Sequence, residues 1–143
     1  MAFFPYPNKN KLIMNFKNVK EVSLYVQDLE RSRLFYEQKL KMKVVSLKEG
    51  RHLFLKAGST VLLCFLAKAT VQDQTLPPHG GNGEIHIAFE VAKQDYQSTR
   101  AAIEAEGIEI IQDFKWGENL ESFYFRDPDG HLLEVIEEKM WGF

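Results

Sequence analysis

The chain has 143 residues, 45% of them hydrophobic and 27% charged, with a net charge of −2. That is one domain's worth of chain with enough apolar content to bury a core, and it excludes a disordered or low-complexity protein. The near-neutral balance lacks a basic stripe, so neither nucleic acid nor an anionic membrane is an expected partner. Cys64 is the single cysteine, which rules out an internal disulfide and fits a reducing, cytoplasmic setting. No apolar run is long enough to cross a bilayer.

Residues 1–18 read as an N-terminal extension. Met1-Ala2-Phe3-Phe4-Pro5-Tyr6-Pro7 lacks the charged start and continuous apolar core of a signal peptide. From Val19 to Gln27 the alternation predicts a half-buried strand, with Val22, Leu24 and Val26 on one face and Glu21, Ser23 and Tyr25 on the other. Asp28 suits a helix N-cap before Leu29–Leu40, whose inner stripe is Leu29, Ser32, Phe35, Tyr36 and Leu40. Three short strands follow, near 43–48, 51–57 and 60–67, punctuated by Gly50 and Gly58-Ser59. Residues 68–83, with Pro77-Pro78 and Gly80-Gly81, form a long polar linker that serves as boundary and candidate lid.

The pattern then restarts. Ile85–Val91 alternates, with Ile87, Phe89 and Val91 opposite His86, Ala88 and Glu90. A helix over about 94–106 stops at Gly107, and strands are expected at 108–114, 121–126 and 131–137. Asp127-Pro128-Asp129-Gly130 has the composition of a tight turn between the last two strands. A five-residue tail, 139–143, closes the chain. The unit strand–helix–three strands thus occurs twice, over 19–67 and 84–138, and predicts pseudo-symmetry with Glu21 and His86 at equivalent positions. The fold class is α+β, one domain over 19–138 built from two βαβββ modules.

Glu134 is a carboxylate in the middle of an otherwise apolar strand, an arrangement that calls for a partner or a metal. Glu21, His86 and Glu134 all lie on strand faces turned away from the helices. One imidazole and two carboxylates are suitable ligands for a first-row divalent metal and leave positions open for water or substrate. A single strand histidine or terminal glutamate is usually structural or solvated, so spacing alone leaves the triad open. Ser23 and Tyr25 share the face of Glu21 and are candidates to act beside Glu134, and Tyr124 and His52 sit on nearby strands. His79 and His131 read as surface residues, and Phe54, Phe114 and Trp116 suit either a core or a pocket wall.

The segments Glu21–Ser32, Phe35-Tyr36, His86–Val91 and Phe125–Glu134 together resemble the vicinal oxygen chelate superfamily, whose members include glyoxalase I, fosfomycin-resistance thiol transferases, extradiol dioxygenases and bleomycin-resistance proteins. The resemblance covers about 19–138 and implies paired βαβββ modules whose curved mixed sheets enclose a cleft. It implies that His86 and Glu134 are metal ligands and that Glu21 stands where histidine is commonest in metal-binding members. A glutamate there adds negative charge and favours harder metals. The run Val61–Leu66 offers no acid or histidine for a fourth, glyoxalase-type ligand, and only Lys139 follows the last strand as a candidate to hold a phosphonate.

The implied activity is divalent-metal-dependent (zinc, nickel, manganese or iron) Lewis-acid chemistry on a small oxygen-bearing substrate, of the lyase, isomerase or thiol-transferase type. Two alternatives stay open: a metal-free small-molecule-binding dimer of the bleomycin-resistance kind, and an extradiol-type dioxygenase. A homodimer is the implied assembly, with Glu21 facing His86 and Glu134 of the other chain.

Overall fold

The computed structural model describes residues 14–143, so most of the expected N-terminal extension lies outside the described residues. Two four-stranded sheets carry the chain, each with the same strand order. In the first, β1 (Glu21–Tyr25) pairs in parallel with β4 (Thr60–Phe65), which pairs antiparallel with β3 (His52–Ala57), and β3 with β2 (Lys43–Lys48). In the second, β5 (His86–Val91) pairs in parallel with β8 (Leu132–Glu137), followed by β7 (Glu121–Arg126) and β6 (Gln112–Lys115). The duplication expected from the sequence is therefore the architecture: α+β, with two βαβββ units. Among the described residues no helix is long and apolar enough to cross a membrane.

Each unit folds for local reasons. Asp28 is the N-cap of α1 (Leu29–Arg33), its Oδ1 accepting from Arg31 N at 3.0 Å. The helix then widens into π geometry over Leu34–Lys39 and is capped by Leu40, with Lys41, a non-glycine residue at φ 59°, just beyond. Periodicity does not foresee that widening; it turns Phe35 and Tyr36 together into the core, their rings meeting edge to face at 5.0 Å. In the second unit a short 3₁₀ turn leads into α3 (Tyr96–Ala105), which buries Tyr96 and Ile103 and stops at Gly107, φ 77°.

The expected strand at 108–114 begins late, at Gln112. Ile108 and Ile110 alternate as in a strand, but they pack on the core before the chain reaches β7 and so make no ladder there. The linker differs from a plain loop as well: it opens with one helical turn, α2 (Ala67–Thr70).

One core serves both units. Leu24, Leu53, Leu55 and Leu62 of the first sheet join Phe123, Phe125, Leu133 and Val135 of the second, with Phe35, Tyr36 and Ile103 between them. The Asp127-Pro128-Asp129-Gly130 turn fastens the units polar group by polar group. Buried Asp127 accepts from Asp129 N and His131 N through Oδ1 (both 2.9 Å) and from Tyr36 OH through Oδ2 at 2.6 Å. Asp129 Oδ1 accepts from Gln27 N and from the Arg31 guanidinium, both at 2.9 Å.

His131, expected at the surface, is 2% exposed. Its Nδ1 accepts from Ile85 N at 3.0 Å, which leaves Nε2–H to donate to Tyr25 O at 2.8 Å. An imidazole that satisfies one main-chain donor and one acceptor in different units is a structural cross-link, and turn composition alone cannot foresee it. Gly130 (φ 85°) has no room for a side chain, because an added Cβ would stand 2.7 Å from Glu84 Oε1.

Removing the phenol of Tyr36 strands one buried carboxylate oxygen. Tyr36→Phe should lower unfolding stability by about 1–3 kcal/mol, and Asp127→Ala, which strands three donors, should cost more than that. Urea denaturation of the two variants against the parent measures both, and equal midpoints for all three would contradict the cross-link.

Candidate functional site

In each sheet one face carries the buried residues that pack with those of the helices and the other is turned away from them, while β6 is exposed throughout. The face turned away carries the candidate chemistry. In the second sheet, His86 opens β5 and stands opposite Leu132, so that Ala88 stands opposite Glu134. Glu134 is 6% exposed, whereas His86 is exposed. The two meet: His86 Nε2 lies 3.0 Å from Glu134 Oε2, and His86 Nδ1 lies 3.0 Å from the carbonyl oxygen of Leu132.

That geometry fixes the proton. A carbonyl only accepts, so Nδ1 carries the hydrogen, and in the neutral ring Nε2 is left with a lone pair. Its neighbour, a carboxylate, also only accepts. Two lone pairs at this distance repel unless a cation, either a proton or a metal ion, lies between them. Two donors each about 2.1 Å from one ion and at right angles to it stand about 3 Å apart. The pair therefore suits a divalent ion in donor type and separation. The carbonyl-bound Nδ1 is also the outer hydrogen bond that metal-ligating histidines ordinarily make.

Tyr124 stands opposite Glu134 on β7, its ring centroid 6.2 Å from that of His86. Burial and the Glu134 carboxylate push its phenol above the ordinary value, while the Ser122 hydroxyl pulls the other way. Phe114 and Trp116 continue this face, ring centroids 4.6 Å apart, with Trp116 Nε1 donating to Ser122 Oγ at 2.9 Å. Both rings are nearly half exposed, so they are wall rather than core.

Glu21, Ser23 and Tyr25 occupy the corresponding face of β1, opposite Val61, Leu63 and Phe65. Glu21 is exposed and opens its strand as His86 opens β5. Within one chain, however, it does not join His86 and Glu134: among the described residues no three His, Cys, Asp or Glu side chains converge as a metal site. The repeat also explains the missing fourth ligand. Ser23 pairs with Leu63 as Ala88 pairs with Glu134, so Leu63 is the first unit's counterpart of Glu134. Cys64 is buried, its thiol pushed up by burial, and it packs in the core rather than serving as a nucleophile.

The linker bears on the first sheet. Arg51 pairs with Asp73 at 2.6 Å, and Asp73 Oδ1 accepts from Thr75 N and Leu76 N at 2.9 and 3.1 Å. His79 N donates to Thr70 O at 3.3 Å, and His79 Nδ1 lies 2.6 Å from Tyr25 OH. Gly81 passes over the Tyr25 ring, where an added Cβ would stand 3.0 Å from two ring carbons. His79 is exposed, as expected, yet it is anchored to a candidate site residue, a contact made across 54 positions of chain and invisible to local reading.

Residues 18–135 match the model of the Glyoxalase/Bleomycin resistance protein/Dioxygenase superfamily. Over 122 residues the chain is 29% identical to glutathione transferase FosA of Serratia marcescens, covering 83% of this chain and 79% of the relative. Metallothiol transferase FosB of Staphylococcus epidermidis is 28% identical over 128 residues, with 85% and 82% covered. Among solved structures, lactoylglutathione lyase from Agrobacterium tumefaciens superposes with a TM-score of 0.84 at 30% identity, covering 90% of this chain and 99% of that one.

The Asp73 anchor is acid-labile. Two main-chain N–H groups and Arg51 hold its carboxyl down at about 2, below the ordinary 3.8. A carboxyl lowered by folding stabilises the folded state above its unfolded value and loses that contribution as the pH falls through its folded one. Thermal melts between pH 5 and pH 2 should show Asp73→Asn less stable than the parent at pH 5 and the gap closing towards pH 2. A gap that stays constant across this range would contradict the anchor.

Proposed function

Because the chain belongs to the glyoxalase/bleomycin resistance protein/dioxygenase superfamily, we propose that it is a divalent-metal-dependent enzyme acting on a small oxygen-bearing substrate, by lyase, isomerase or thiol-transfer chemistry. One observation carries this: His86 Nε2 and Glu134 Oε2, both acceptors once Leu132 has claimed the Nδ1 proton, face each other at 3.0 Å. Glu134 is too buried to be an idle surface charge, and a carboxylate there calls for a cation.

His86 and Glu134 would hold the ion, with Glu21 of a partner subunit supplying the third protein donor in a homodimer. When bound, such an ion supplies Lewis-acid polarisation of two substrate oxygens and stabilises an enolate or alkoxide. The chain's own groups do the rest. Glu134 would balance part of the charge of the cation, and the exposed position of His86 leaves the substrate side open. Ser23 on β1 and Tyr124 on β7 offer hydroxyls that would orient substrate oxygens by hydrogen bonding, whereas the Tyr25 hydroxyl, a candidate from the sequence, is engaged by His79. The short aromatic wall of Phe114 and Trp116 excludes water from one flank.

Among the available reactions, thiol transfer to a phosphonate substrate fits least. Phe114 and Trp116 give the second sheet an apolar flank, and Lys139, the one candidate beyond β8, is exposed. Two carboxylates with one histidine also invert the ligand proportions of the oxygenase triad, which argues against an extradiol-type reaction.

Protein prepared without chelator should take up one divalent ion per chain when titrated with zinc, nickel, manganese or iron. His86→Ala and Glu134→Ala should each weaken that binding at least about 100-fold, the scale on which even outer hydrogen-bond partners matter. Isothermal titration calorimetry and elemental analysis read this directly. No binding at micromolar metal would contradict the enzyme and leave a metal-free binding dimer, in which Glu21 and Glu134 lend the cleft negative charge.

A further inference from the structure

Aromatic side chains form an unbroken run on the helix-remote face of the first sheet. His52 lies flat on Phe54, centroids 3.9 Å and planes 12° apart. Phe54 meets Phe65 at 5.3 Å and Phe65 meets His79 at 4.9 Å, both edge to face, and His79 tilts towards Tyr25 at 5.9 Å. Register brings them together: Tyr25 stands opposite Phe65, and Phe65 opposite His52. Four rings come from three neighbouring strands. The fifth, His79, is delivered by the linker.

Their polar tips are turned on one another. Tyr25 OH and His79 Nδ1 share a hydrogen at 2.6 Å, and His52 Nε2 meets Ser46 Oγ at 2.9 Å. His52 Nδ1 is buried from water and has no partner. Burial and the nearby Arg51 and Lys48 charges hold the His52 imidazole below its ordinary value, so its ring is neutral at pH 7. What the run offers a ligand is therefore π-surface and ring edge. Only Phe65 of the five is buried; His52, Phe54 and Tyr25 are partly exposed and His79 is exposed. None of the five residues carries a fixed charge that would hold a phosphonate or carboxylate tail.

The run is also fixed at a useful distance. Phe54 stands level with Ser23 through Leu63, two residues or about 7 Å along β1 from Glu21, within reach of one ring attached to a chelating head, and Tyr25 stands four residues or about 13 Å along it, within reach of a longer aryl tail. The Arg51–Asp73 pair and the close passage of Gly81 hold His79 in place, so this end of the face is a wall rather than a hinge.

We propose that the Tyr25, His52, Phe54, Phe65 and His79 rings form a binding wall for an aromatic group attached to the oxygen-chelating head of the substrate, so that the protein selects aryl over small alkyl substrates. This rests on the chelation reading of the preceding subsection. Acetohydroxamate and benzohydroxamate separate the two, since both chelate through two vicinal oxygens and differ only in carrying a methyl or a phenyl group.

The test is calorimetric titration of each hydroxamate into protein loaded with whichever divalent ion binds stoichiometrically. Benzohydroxamate should bind about tenfold or more tightly than acetohydroxamate. Phe54→Ala should weaken benzohydroxamate by about 3- to 10-fold and leave acetohydroxamate unchanged. His79→Ala, on the exposed linker at the far end of the run and so beyond the reach of a single phenyl ring, should leave both affinities unchanged. Equal affinities, or a phenyl preference that survives Phe54→Ala, would overturn the wall while leaving chelation intact. Loaded protein that binds neither hydroxamate would contradict the chelation reading and this inference with it.

Discussion

The relation between the two modules depends on one buried carboxylate. Asp127 takes hydrogen bonds from its own turn and from Tyr36 of the other module, while its neighbours Asp129 and His131 bind the main chain of β1 and its exit. Apolar packing between the modules would tolerate sliding, because the hydrophobic effect is non-directional. Directional hydrogen bonds to main-chain groups are not so tolerant. They set the position of β1 against β5 and β8, and hence of every candidate ligand on those strands.

From that constraint the division of labour between the two sheets follows. Duplicated register gives each module the same positions on its helix-remote face, and the side chains at those positions have diverged. Where the second module has His86, Glu134 and Tyr124, the first has Glu21, Leu63 and Phe54. One face is therefore polar, with the facing His86 and Glu134, and the other is aromatic with a single carboxylate at its edge. A substrate held between two such faces would have its oxygens at one end and its apolar part at the other.

Much of this was legible in the sequence for physical reasons. Strict alternation in Val22–Val26 and Ile87–Val91 assigns faces without reference to anything distant, and Glu134 stands out because its neighbours are apolar. The Asp28 cap and the Gly107 stop are equally local. What escaped was whatever depends on contacts across the chain. His131 looks like a turn residue and is a buried cross-link between modules. Ile108 and Ile110 alternate like a strand but serve the core. His79 sits in a Pro/Gly-rich linker that composition marks as loose, yet ion pairing at Asp73 and contact with Tyr25 hold it on the sheet. The convergence of Glu21 with His86 and Glu134 is not met within one chain, and no pattern along a single sequence specifies which subunit supplies a donor.

The assembly of the site between subunits is tested most directly by a hybrid dimer of Glu21→Ala and Glu134→Ala chains, separately tagged, co-purified and titrated with the divalent ion that the parent binds. Neither homodimer should hold metal. The hybrid should recover one ion per dimer, because one of its two sites unites an intact Glu21 with an intact His86 and Glu134. A hybrid that binds none would contradict a site shared between chains, and a Glu21→Ala homodimer that binds as the parent does would remove Glu21 from the site altogether.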